Sequence, residues 1–315
     1  MDSAAARKTT GWQAELHLRF TGVNGDIPRF LENGDAAQTG PTRLVERRHK
    51  GPLVVQRPFY PEGDPCHVYL VHPPGGVVGG DELRIDVQVD PHAHALITTP
   101  AATKFYRCEN RVSSQTQELR AAGATLEWLP QENIFYRGTD VRTATRVLVN
   151  ASSRFIGWEI NCLGLPARGE HFDAGALRLD LELWKDLADQ PVDLSRVPVF
   201  WETRNGPGAG PVPIFIDRMR LNGESSARGA AWGLAGQEAV GTMLATPATR
   251  EHVELIRALV EPHPLAAVSL VDGVLVLRAL APQAEAVRNL FIAAWRALRP
   301  GVIGREAVTP RIWAT

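Results

Sequence analysis

The sequence predicts a mainly β protein that gains helices only near its C-terminal end. Three observations point there. Short segments with apolar residues at every second position recur from residue 12 to about residue 184. The 28 glycines and 23 prolines are spread over all 315 residues, which suits many short elements separated by turns. No helical periodicity long enough for a β-α-β crossover falls between these segments, which argues against a doubly wound fold.

Taken in order, Trp12, Ala14, Leu16, Leu18 and Phe20 alternate with polar residues and predict a strand with one buried face. Residues 21–42, rich in Gly, Asn, Asp and Pro, read as a long loop. Strand character returns at Leu53 to Gln56 and at Val68 to Val71. The run from His72 to Asp81 then places four glycines in six residues before Leu83, Ile85, Val87 and Val89, which share a face. It reads as a tight strand-to-strand connection, either holding a ligand or forming a corner between two sheets. Further strands are predicted at 94–98, 120–129, 134–136, 143–149 and 155–159. Leu177, Leu179, Leu181 and Leu183 alternate with polar partners, so period two wins over a helix despite the leucine content. Prolines and glycines at 205–213 mark a connection suited to a boundary or a mobile loop.

The last third changes character. Val253, Ile256, Leu259 and Val260 recur at helical spacing, and Asp272-Gly273 between two apolar runs signals a two-residue hairpin. From Gln283 to Leu298, a stripe of Val287, Leu290, Phe291, Ala294, Trp295 and Leu298 predicts a helix packed on the sheet. Arg296 lies opposite the stripe, Arg288 and Arg299 lie at its edge, and Pro300-Gly301 predicts the stop. Residues 1–315 read as one domain with helical elements mainly in 250–300.

Composition narrows the function. Lys plus Arg number 34 against 35 for Asp plus Glu, so a formal charge of -1 offers no global attraction to nucleic acid or to an acidic membrane. The three cysteines, Cys66, Cys108 and Cys162, lack metal-site spacing and suit a reducing compartment. The polar segment Met1 to Lys8 lacks the apolar core of a signal peptide, and no run approaches a membrane span, so a cytoplasmic location is expected.

Chemical signatures are sparse. The glycine run lacks the Lys-Ser or Lys-Thr of a Walker loop and the spacing of a dinucleotide fingerprint. There is no nucleophile elbow and no zinc-protease helix. His92 and His94, two apart in a predicted strand, would face the same way as a minimal metal clip, although a third ligand is missing. Cys66, His67 and His72 are close in sequence without defining a site. Glu127, Glu132, Glu159 and Glu170 sit in otherwise apolar surroundings. They either line a wet passage for a divalent cation or pair with Arg137, Arg142 and Arg146. Lys104-Phe105-Tyr106-Arg107 interleaves basic and aromatic residues, the composition of a protein-interface anchor.

Several longer runs carry a resemblance. Gly51-Pro52-Leu53, Arg57 to Gly63, His72 to Asp81, Thr98 to Arg107 and Glu127 to Glu132 occur in the order seen in the urease accessory protein UreD (UreH) family. Phe155-Ile156-Gly157-Trp158-Glu159 and Gly169-Glu170 extend the match to about residue 172. The resemblance implies an irregular β-helix-like stack of sheets with a small helical part. It also implies a non-enzymatic scaffold with no catalytic residue and no tightly bound cofactor, which binds urease apoprotein and the accessory proteins UreF and UreG while nickel is delivered. Transient nickel contacts are then expected among His72, Asp81, Glu127, Glu159 and Glu170, and partner contacts at Lys104, Tyr106 and Arg107. The alternative is a hydrolase with a site in the groove beside the glycine loop.

Overall fold

The computed structural model describes residues 11–23, 40–108, 111–186 and 211–314. An antiparallel pair, β1 (Gln13–Val23) and β2 (Gly40–Lys50), precedes the short β3 (Val54–Val55). The chain then winds as a coil between two sheets. It passes through β4 (Cys66–Val71), β5 (Glu82–Val89), β6 (His94–Thr98), the short β7 (Thr103–Phe105), β8 (Ser113–Ala121), β9 (Thr125–Leu129) and the short β10 (Asn133–Phe135). It continues through β11 (Thr139–Val149), β12 (Arg154–Leu165), the two-residue β13 (Glu170–His171) and β14 (Gly175–Lys185). Strands β5, β8, β11 and β14 pair in parallel in one sheet, and β4, β6, β9 and β12 pair in parallel in the other.

Each turn of the coil takes roughly thirty residues, within the range of stacked repeats. Position by position, Val77 pairs with Phe105, Phe105 with Phe135, and Phe135 with Leu163, forming a buried parallel ladder at one side of the coil. The β-helix-like stack expected from the family resemblance is therefore present. Both sheets are finished by antiparallel strands. β15 (Val212–Asn222) closes the first beyond β14, and β16 (Ala239–Thr246) extends the second. Helix α1 (Arg250–Val260), the hairpin β17 (Ala266–Val271) and β18 (Val274–Ala281), and helix α2 (Ala284–Ile303) complete the chain.

Two apolar layers hold this together. Between the sheets, Leu16, Leu18, Phe20, Leu83, Ile85, Val87, Leu177, Leu179 and Leu183 meet Val68, Leu70, Ile97, Leu126, Trp128 and Phe155. On the far side of the second sheet, Leu96, Ile156, Trp158, Ile160, Met243, Leu275 and Leu277 pack on Val253, Ile256, Val287, Phe291, Trp295 and Leu298 of the two helices. That sheet is covered on both faces. This is why β6 and β12 are buried almost continuously along their length, whereas β5 and β14 alternate above a solvent-facing side.

Several expectations change. Residues 120–129 form two strands, because Gly123 at φ 63° and the Ala121–Ala124 turn pass the chain from one sheet to the other. Trp12 precedes β1 and is exposed, outside the buried face of Ala14 to Phe20. The predicted loop at 21–42 is flanked by strand, with β1 reaching Val23 and β2 starting at Gly40; residues 24–39 lie outside the described residues. Of the 205–213 connection, Val212 and Pro213 belong to β15, and residues 205–210 lie outside the described residues. Helix α2 continues through Pro300 to Ile303, ending at Gly304 with φ 80°. Burial of Val302 and Ile303 holds this last turn in place, and Gly301 leaves room for the His252 ring. Arg299, expected at the edge of the stripe, is completely buried.

The glycine run is the connection between β4 and β5. Gly75 and Gly80 take φ of 76° and 93°, a region that favours glycine. Gly76 and Gly79 serve close approach, since a Cβ on Gly79 would lie 2.4 Å from Cys108 Cβ and one on Gly76 would lie 2.2 Å from the Tyr106 ring. Gly79→Val is therefore expected to cost about 2 kcal/mol or more through overpacking, read as a lower urea midpoint. An unchanged midpoint would show that the approach is not constrained.

Candidate functional site

The interior of the coil is not uniformly apolar. On β8 the inward positions are Ser113, Gln115 and Gln117, and on β11 Thr143 and Thr145, all buried. Parallel register sets Gln115 beside Thr143 and Gln117 beside Thr145, between Leu83 and Ile85 on one side and Leu179 and Leu181 on the other. Polar side chains in a core leave imperfect packing, and two cavities lie here. The first, about 290 Å³, is lined by His72, Gly76, Thr103, Lys104, Gln115, Gln117 and Asn133, among others. The second, about 640 Å³ and more open, is lined by Asn161, Asp217, Arg218, Trp232, Thr242 and Arg278, with leucines and alanines.

Glu159 of β12 lines both cavities. It is buried, with only 7% of its surface exposed. Burial, partly opposed by the Thr145 hydroxyl and reinforced by the Asp217 charge, pushes its carboxyl up to about 7. Thr145 Oγ1 lies within donating distance of both Gln117 Oε1, at 2.7 Å, and Glu159 Oε1. A hydroxyl has one hydrogen, so it serves only one of the two oxygens at a time, and its help to the Glu159 carboxylate is shared.

The other candidates separate. His72 lines the first cavity and is half-buried. Burial, opposed by the Asp81 charge, lowers its affinity for a proton. Asp81 is committed to the backbone: Oδ1 accepts the Trp12 N–H at 2.9 Å and Oδ2 the Val78 N–H at 3.0 Å, fixing the glycine run against the start of β1. Glu170 lies exposed on β13, away from the cavities. His92 and His94 do not form a clip. His92 is an exposed turn residue with φ 66°, whereas His94 begins β6 and is buried. Among the described residues no three His, Cys, Asp or Glu side chains group as a metal site.

Glu127 is consumed by a buried ionic cluster. Its carboxylate accepts from Arg299 Nε at 3.0 Å, from Trp295 Nε1 at 2.6 Å, and meets His94 Nε2 at 2.7 Å. Arg299 also donates to Glu62 Oε1 at 2.7 Å, and His67 Nε2 lies 2.7 Å from that same Glu62 oxygen. Burial alone would raise the Glu127 carboxyl; His94 and Arg299 outweigh it and hold it down to about 2. The pairing expected with Arg137, Arg142 and Arg146 is not what forms. Arg137 meets Asp173, and Arg146 meets Glu118 and Glu182. Glu132 pairs with Arg288 instead.

Lys104, Tyr106 and Arg107 lie where β7 leaves the coil. Lys104 is half-buried beside the first cavity, while Tyr106, 38% exposed, leans on Tyr136 at 4.9 Å between ring centroids, and Arg107 is exposed. Gln117, Thr145 and Asp217 were not among the residues singled out from the sequence. In β8 polar residues occupy both faces, so the alternation that marks an inward side elsewhere is silent there.

Comparison with known proteins places this architecture. A family model described as UreD urease accessory protein matches residues 31–314. The chain belongs to the UreD family of urease accessory proteins. A relative named Urease accessory protein UreD from Escherichia coli is 41% identical over 314 residues, covering 97% of this chain and 98% of that protein. Those from Alkalilimnicola ehrlichii and Klebsiella pneumoniae are 40% and 39% identical, over 99% and 97% of this chain and 94% and 96% of their own lengths. Among the described residues the chain has two α-helices, and no helix is long and apolar enough to cross a membrane.

Proposed function

We propose that this chain is a non-catalytic cytoplasmic scaffold that joins urease apoprotein to UreF and UreG and passes nickel through its interior, from the first cavity past Glu159 to the second. The observation that carries this reading is one buried carboxyl lining both cavities, with amide oxygens of Gln115, Gln117, Asn133 and Asn161 around them. Oxygen donors of this kind bind a divalent cation weakly, and transit needs release as much as capture. His72, at the first cavity, adds a neutral imidazole.

Glu159 sets a proton condition on the step. A cation gains a full ligand charge only when the carboxyl has lost its proton, so each ion that passes displaces one hydrogen. Asp81, Glu127 and Glu170 have no part in the route, the first two because their oxygens already serve the fold and the third because it lies outside. Lys104, Tyr106 and Arg107 supply a partner contact near the first cavity. The free cysteines Cys66, Cys108 and Cys162 suit a reducing compartment.

Reconstitution tests the reading. Urease apoprotein, UreF, UreG, GTP, bicarbonate and nickel are expected to yield active urease only when this chain is present, and the isolated chain is expected to turn over neither urea nor GTP. Activation that ignores its omission would defeat the scaffold. Turnover by the chain alone would favour a hydrolase working in the groove.

A further inference from the structure

We propose that the outer face of the first sheet carries a docking strip for an acidic helix of a protein partner, built on Arg142, Arg178 and Arg220. These residues stand side by side on β11, β14 and β15: Arg142 pairs in register with Arg178, and Arg178 with Arg220. All three are exposed. Adjacent strands are about 4.8 Å apart, so three guanidinium groups share a row across the sheet. Like charges directly opposite each other destabilise a sheet; Asp180 offsets Arg220 at 2.7 Å, and the fold supplies no such partner to Arg142 or Arg178 among the described residues.

In the neighbouring rows Arg146 meets Glu118 and Glu182, and Arg218 meets Glu182 at 3.1 Å; within the strip Arg220 reaches Asp180 at 2.7 Å. Glu118, Glu182 and Asp180 are thereby used. Among the described residues, Arg142 and Arg178 have no ion pair and no side-chain hydrogen bond, although Asp140 stands two residues before Arg142. They leave two full charges and their donor forks facing solvent.

The shape of the charge selects the occupant. A nucleic acid or an anionic membrane would lie over several rows and meet Asp140, Asp180, Glu118 and Glu182 as well as the arginines, in a chain of net charge -1. A single line of carboxylates avoids them. On a helix, glutamates at i, i+3 and i+7 lie on one side at rises of about 4.5 and 10.5 Å. That matches a row repeating at about 4.8 Å, whereas alternate residues of a strand, roughly 6.7 Å apart, fall out of step. Arginine forks donate to such carboxylates in bidentate fashion.

The test uses the full chain and a fluorescein-labelled alanine-based helical peptide with glutamates at i, i+3 and i+7, followed by anisotropy. Binding is expected at about 50 mM salt and should weaken strongly at about 300 mM. Arg142→Glu with Arg178→Glu should lose about tenfold or more in affinity, a change of about 1.4 kcal/mol or more. Arg47→Glu with Arg48→Glu on β2, the same charge change elsewhere, should lose little. If thermal melting shows the reversed pair unfolded, Arg142→Gln with Arg178→Gln replaces it, with the same expectation. Equal binding by the strip variant, an equal loss in the β2 variant, or no peptide binding at all would overturn the proposal. So would a duplex DNA oligonucleotide or phosphatidylserine vesicles binding through the same arginines more tightly than the peptide.

Discussion

Arg299→Met is expected to destabilise the protein by about 3–5 kcal/mol, because it leaves the Glu62 and Glu127 carboxylates buried without their shared cation. Equilibrium urea unfolding reads the loss directly. The cluster ties α2 to the coil, since Arg299 and Trp295 come from the helix, Glu127 and His94 from β9 and β6, and Glu62 from the segment before β4. Packing alone would tolerate methionine, so a shift below about 1 kcal/mol would mean that water reaches the carboxylates. The same cluster governs acid stability. Glu127 is held down to about 2, below the ordinary glutamate value, so its contribution is complete above about pH 4.5 and disappears as pH falls toward 2. Glu127→Gln should flatten that acid limb while lowering stability at neutral pH.

Replacing Tyr106 and Arg107 together by alanine is expected to weaken capture of UreF or urease apoprotein by about thirtyfold, equivalent to about 2 kcal/mol, if these residues anchor the partner. The ring of Tyr106 rests on Tyr136 and above Gly76 and is partly exposed, so an aromatic surface is held on a packed base. Unfolding of the variant is followed in parallel, because loss of the Tyr136 contact carries a stability cost of its own. Full capture by a folded double variant would remove this surface from the assembly.

Much of the fold was legible in the chain because single-sided burial writes period two into strands such as β5 and β14. Asp272-Gly273, with φ of 48° and 77°, forms the expected hairpin turn. The stripe from Val287 to Leu298 faces the sheet as its spacing predicts. Coiling itself left no periodic mark, since the residues that stack, such as Val77, Phe105, Phe135 and Leu163, share only their apolar character; the family resemblance supplied it. The site was legible only in part. Glu159 stands among apolar neighbours and was visible as an anomaly, but so was Glu127, and only the position of Arg299 separates a consumed carboxylate from an available one. Arg299 itself was misplaced because helical spacing puts it at the edge of the stripe, whereas the two carboxylates draw it inside. Gln117 and Thr145 were silent because polar residues on both faces of β8 conceal which side is inward.

If nickel passes Glu159 on its way to urease, the initial rate of urease activation in the reconstituted system reports it, with Glu159→Leu, which removes the carboxyl at similar size, beside the wild-type chain over about pH 6–8. The variant is expected to fold and to bind its partners unchanged but to activate urease at least about tenfold more slowly at neutral pH, a difference of about 1.4 kcal/mol in the limiting barrier. The wild-type rate is expected to rise with pH through about 7, where the carboxyl loses its proton, and the variant to lose that rise. Wild-type activation rates from the folded Glu159→Leu complex would contradict the route.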